Sequence, residues 1–199
     1  MKLKKLEAAR GFAALYVVAH HAAPHSFMVL GVKAGVLFRF GQEAVMLFFL
    51  LSGFVIHYSY SKTPTDPISF VSNRFLRIFV PLVPALIFSY VVVSISNGRL
   101  VDPNVATLCA NLLMLQDMSS LKPGVLASPY MGNSPLWSLS YEWWFYMIYI
   151  LLVTLFGDFG KRTAVVIALG IVGALLYGWC PNWIVRIAFY LSIWWSGVM

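Results

Sequence analysis

Long stretches without a single charge recur along this chain, and they narrow what it can fold into more than any other feature. The segment 78–95, IFVPLVPALIFSYVVVSI, runs eighteen residues with no charged side chain. Thirteen more follow one another in AVMLFFLLSGFVI at 44–56, and TAVVIALGIVGALLYGW fills 163–179. A helix of about 20 apolar residues crosses the hydrocarbon of a bilayer. Only 11% of the 199 residues are charged and the mean hydropathy is +0.80, whereas a soluble domain carries about 25% charged residues. So few charges cannot cover a water-facing surface. The expected fold class is all-α, a polytopic transmembrane bundle with about six spanning helices and one short re-entrant or interfacial segment. It reads as a single membrane domain over 1–199, and the alternation of a membrane β-barrel is absent.

The expected spans are 6–30 (kinked or ended by Pro24), 38–60, 78–95 (containing Pro81 and Pro84), 136–156, 163–179 and 183–199. VATLCANLLML, eleven residues at 105–115, is too short to cross. The stretch 116–135 is polar and rich in Gly, Ser and Pro. Basic connections at 1–10, 61–77 and 158–162 all fall on one side, so the N-terminus is expected in the cytoplasm. The same bias, with anionic lipid headgroups, accounts for the net charge of +7. Membrane lipids are the expected partners, and no nucleic acid is implied. MKLKK followed by an apolar run is like a signal peptide, but Glu7 and Arg10 interrupt it and apolar character resumes at FMVLGV, so a retained helix is expected. Cys109 and Cys180 lack metal-ligand spacing and read as buried thiols; no metal is expected. The chain stops inside an apolar helix without a polar tail, the pattern of the N-terminal part of a longer protein.

Ionisable groups at membrane depth mark substrate paths or buried pairs. Arg10 and His21 are eleven residues apart, three turns and about 20° of helix, so both point the same way about 16 Å apart along the axis. Arg10 is a candidate anion ligand and His21 a candidate general base, since an imidazole exchanges protons near neutral pH. The alternative is an arginine reaching headgroups and a histidine bonded to a carbonyl. Arg74 and Arg77, at i and i+3, share a face and can grip phosphate oxygens, or serve as a plain cytoplasmic anchor. Glu142 is the only acid in an apolar run of more than twenty residues and calls for a cation or a proton donor. Trp137, Ser138 and Tyr146 are candidates for substrate contact, although tryptophan and tyrosine also form interfacial belts, a description that suits Trp143 and Trp144 well. His57 and Glu43 are weaker candidates, and Arg186 either snorkels or pairs. Ser52 and Gly53 allow close helix packing.

Four pieces taken together, RGFAALYVVAHH, GQEAVMLFFLLSGFVI, NRFLRIFVP and LWSLSYEWWFY, resemble the acyltransferase-3 family of integral membrane O-acyltransferases. The resemblance implies transfer of an acyl group, commonly acetyl, from acyl-CoA to a hydroxyl of a cell-surface glycan or lipid-linked saccharide, in a bacterial inner membrane. It implies that His21 is catalytic with Glu142, that Arg10, Arg74 and Arg77 hold the acyl-CoA co-substrate, and that Trp137 and Ser138 belong to the family's tryptophan-serine-leucine motif. Two positions depart from the family pattern: Ala44 stands where glycine is usual, and Trp143–Trp144 where Glu-Gln is usual. Family members usually run well past this length. A non-catalytic membrane protein, transporter-like or a degenerate relative, is the competing expectation.

Overall fold

The computed structural model describes residues 2–22, 28–29, 32–33 and 38–199. Among them seven α-helices follow in order: α1 (Lys2–Ala22), α2 (Gly41–Lys62), α3 (Pro67–Ser96), α4 (Val105–Leu112), α5 (Leu136–Leu155), α6 (Phe159–Tyr177) and α7 (Trp183–Ser196). Two-residue strands β1 (Met28–Val29) and β2 (Val32–Lys33) pair antiparallel between α1 and α2, and a 3-10 turn at Tyr130–Gly132 precedes α5. The chain is thus the helical membrane bundle expected of it. Helices α2, α3, α5 and α6 are long and apolar enough to cross a membrane. The other two expected spans differ. Helix α1 carries Lys2, Lys4, Lys5, Glu7 and Arg10 in its first half and ends at Ala22 rather than near 30. Helix α7 has 14 residues, about 21 Å of rise against about 30 Å of hydrocarbon. Pro24, expected to end or kink the first span, lies outside the described residues.

The stretch expected to form a polar loop through 77 is helical from Pro67. Asp66 caps α3 by accepting the Ser69 N–H at 2.9 Å, and Pro67 follows at a position where its missing donor costs nothing. Asn104 and Asp158 cap α4 and α6 in the same way. Helix α4, at 8 residues, has the short non-crossing length expected for its segment.

The described residues group into two compact units. In the first, residues up to Pro64 together with Ser192–Met199, α1 packs on α2. Ser52 and Gly53 are buried, and a Cβ at Gly53 would overlap the Trp194 carbonyl. A Cβ at Gly197 would overlap the Leu50 carbonyl. Small residues here let backbone lie on backbone.

The second unit, Thr65–Leu191, joins α3 to α5 through aromatic contacts. Phe70 meets Tyr149 at 5.9 Å and Phe79 meets Trp143 at 5.4 Å between ring centroids. The segment 113–135 is more than a surface loop, because Met114, Gln116 and Asp117 are completely buried. Trp144 Nε1 donates to the Met114 carbonyl (2.9 Å), Ser140 Oγ to that of Gln116 (2.8 Å), and Gln116 Nε2 to that of Leu136 (3.1 Å). Farther along, Asn133 Nδ2 donates to Ser89 Oγ of α3 (2.8 Å). Cys109 and Cys180 are free thiols, but both are exposed rather than buried. Cys109 lies on the short helix α4 and Cys180 in the turn between α6 and α7.

Candidate active site

In the first unit, α1 runs unbroken from Arg10 to His21, so the two share a helix face as their spacing requires. Their surroundings are unlike. Arg10 is 6% exposed and its guanidinium lies over the Phe48 ring at 5.0 Å. His21 is exposed, one residue before the helix ends. Its neighbour His20 is the more enclosed imidazole: Nδ1 bonds the Phe38 carbonyl, the ring packs edge-on to His21 at 5.1 Å, and a Cβ at Gly41 would collide with it. An exposed imidazole braced by a fixed one can exchange protons with a ligand.

In the second unit, Arg74, Tyr146 and Glu142 come together. The Tyr146 hydroxyl donates to Glu142 Oε1 one helical turn away, and the Arg74 guanidinium lies 5.6 Å from the Tyr146 centroid and 5.4 Å from that of Phe70. Glu142 therefore has the donor its position demanded. Arg77 is exposed while Arg74 is half-buried. Ser138 Oγ turns back to the Pro135 carbonyl (3.2 Å), and Trp137 is 4% exposed. Trp143 packs among phenylalanines of α3 rather than at a free surface.

A second ionic cluster in this unit carries no signal in any single stretch of sequence. Asp117, wholly buried, accepts the Met118 N–H (2.7 Å) and Lys122 Nζ (2.8 Å) on Oδ1, and Arg186 Nε (3.0 Å) and the Tyr141 hydroxyl on Oδ2. Arg186, 2% exposed, also donates to the carbonyls of Pro123 and Gly124. It is paired rather than snorkelling. Lys122 Nζ sits 3.7 Å from the Trp137 centroid and 5.3 Å from those of Tyr141 and Tyr190. Removal from water pulls this ammonium below the ordinary lysine value, and Asp117 works against that shift. A signal was available: within 116–135 the sole acid is Asp117 and the sole lysine Lys122, while Arg186 is the lone charge of its apolar run. A cavity of about 240 Å³, bordered by Tyr177, Arg186, Phe189 and Tyr190, adjoins the cluster.

A family model described as an acyltransferase domain matches residues 3–199. The chain is 32% identical over 181 residues to the curated protein Acyltransferase MdmB of Streptomyces mycarofaciens, an alignment covering 88% of this chain and 46% of that relative. It thus spans about half the length of the curated relative it matches. No solved structure matches it.

Proposed function

The chain belongs to the acyltransferase-3 family, and from that premise we propose that it moves an acyl group, in the simplest case acetyl, from acyl-CoA to a hydroxyl of a cell-surface carbohydrate or lipid-linked saccharide. Arg74 and Arg77 bind CoA phosphates through charge-assisted hydrogen bonds at the cytoplasmic side of a bacterial inner membrane, and Arg10 is an anion ligand for the same co-substrate within its own unit. His21 takes the proton of the acceptor hydroxyl as its oxygen attacks the thioester carbonyl; the C–S bond breaks and the departing thiolate recovers that proton. Glu142, bonded by Tyr146, is the second catalytic group, an acid held in place by a phenol. Trp137, Ser138 and Tyr146 contact the acceptor, which approaches over 113–135.

The observation that supports this reading best is the pairing on α1 of a buried arginine with an exposed histidine three turns away. The test uses purified full-length chain, labelled acetyl-CoA and extracted cell-surface polysaccharide. His21→Ala abolishes transfer and leaves insertion and acetyl-CoA binding intact; transfer retained by that variant removes His21 from the chemistry. Joint Arg74→Ala and Arg77→Ala substitution raises the donor requirement, and unchanged donor binding would overturn the phosphate assignment.

A further inference from the structure

We infer that Lys122 is a positioning residue for the acceptor side of the reaction, acting by fixing the ring of Trp137. The inference rests on the assignment of Trp137 to acceptor contact made above. Asp117 and Arg186 already neutralise one another at 3.0 Å. Lys122 adds a second cation to a pair that needs none, and an ammonium taken out of water is costly unless something holds it. What holds it, besides Asp117 Oδ1, is three aromatic faces. The closest is Trp137, on the first turn of α5, where no side-chain cap fixes the helix start. Trp137 also meets Tyr141 edge-on at 5.7 Å and Tyr190 in a tilted contact at 6.3 Å. Lys122 combines an ionic tether with contact against this indole.

The strap that delivers Lys122 is itself pinned. Arg186 bonds the Pro123 and Gly124 carbonyls, and Gly124 (φ +63) lies so close to the α6–α7 turn that a Cβ would run into the Pro181 carbonyl. The ammonium is thus aimed by backbone held at the two residues that follow it. Charge balance does not require that aim. Holding the indole in one orientation does.

The experiment compares Lys122→Met, which keeps the stem and drops the charge, with Lys122→Arg. With acetyl-CoA and extracted polysaccharide, the methionine variant should raise the apparent KM for polysaccharide about tenfold, change kcat less than twofold and leave acetyl-CoA binding unaltered. The arginine variant should return KM to within about twofold of the parent. In protein labelled with 5-fluorotryptophan, the Trp137 resonance (identified by its loss in Trp137→Phe) should shift in the methionine variant and return in the arginine variant. An unmoved resonance, an unchanged KM, or equal losses toward donor and acceptor each overturn the inference. A shifted resonance in protein whose parent transfers nothing would instead overturn the proposed function, and unchanged acceptor KM in Trp137→Phe would overturn the assignment of Trp137.

Discussion

Arg10 and Arg186 are both nearly buried, at 6% and 2% exposed, yet the two units bury them in opposite ways. Arg186 is bonded to a carboxylate, a phenol and two backbone carbonyls, the saturation expected of an ion that braces structure. Arg10 lies against the face of Phe48, on the helix that ends in an exposed histidine. A ring stabilises positive charge through its face, a contact of a different kind from an ion pair. On the proposed function, Arg10 meets a partner that arrives from outside, whereas Arg186 holds partners that never leave. Burial alone therefore does not separate a functional arginine from a structural one; the identity of what it touches does.

This contrast can be broken by experiment. The largest effect belongs to the first unit: His21→Ala should lower transfer by about 10²–10⁴-fold while the thermal midpoint in detergent stays unchanged. In the second unit the reverse holds. Asp117→Asn leaves two buried cations without their carboxylate and should cost about 3–5 kcal/mol of stability, read as a drop in that midpoint. Packing in the first unit gives a smaller loss: substituting Gly197 by Ala forces a methyl into the Leu50 carbonyl, and about 1–3 kcal/mol of stability should go. The smallest effect is a pH slope. Because Lys122 releases its proton below the ordinary 10.5, the unfolded chain binds more protons within that window. Stability should rise as pH climbs through it, and Lys122→Met should flatten the slope. A midpoint falling with pH in the parent alone would contradict the burial of Lys122.

Apolar runs announced α2, α5, α6 and the body of α3, because uncharged length is a property of consecutive residues. The polar start of α3 was hidden for the converse reason: its helix depends on the Asp66 cap and on packing such as Phe70 against Tyr149, a residue far away in sequence. At the candidate site, the spacing of Arg10 and His21 and the need of Glu142 for a donor could be read directly. That Tyr146 supplies the donor follows from helical geometry at i+4. That Asp117 was the sole acid of its stretch could be read, but not its partner on a distant helix, since its neighbours Gln116 and Met118 carry no charge. Its burial is created by Arg186, 69 residues later.

Helix α3 has one more consequence. Its 30 residues rise about 45 Å, well beyond the roughly 30 Å of hydrocarbon. The uncharged run 78–95 is long enough to match that slab, and the extra turns at its start carry Arg74 and Arg77 on the same continuous helix, where Arg74 packs on Tyr146 of α5. The same shaft, fifteen residues beyond Arg74, holds Asn133 through Ser89. One helix thus carries both Arg74 and the anchor of the segment just ahead of Trp137, about 22 Å apart along its axis.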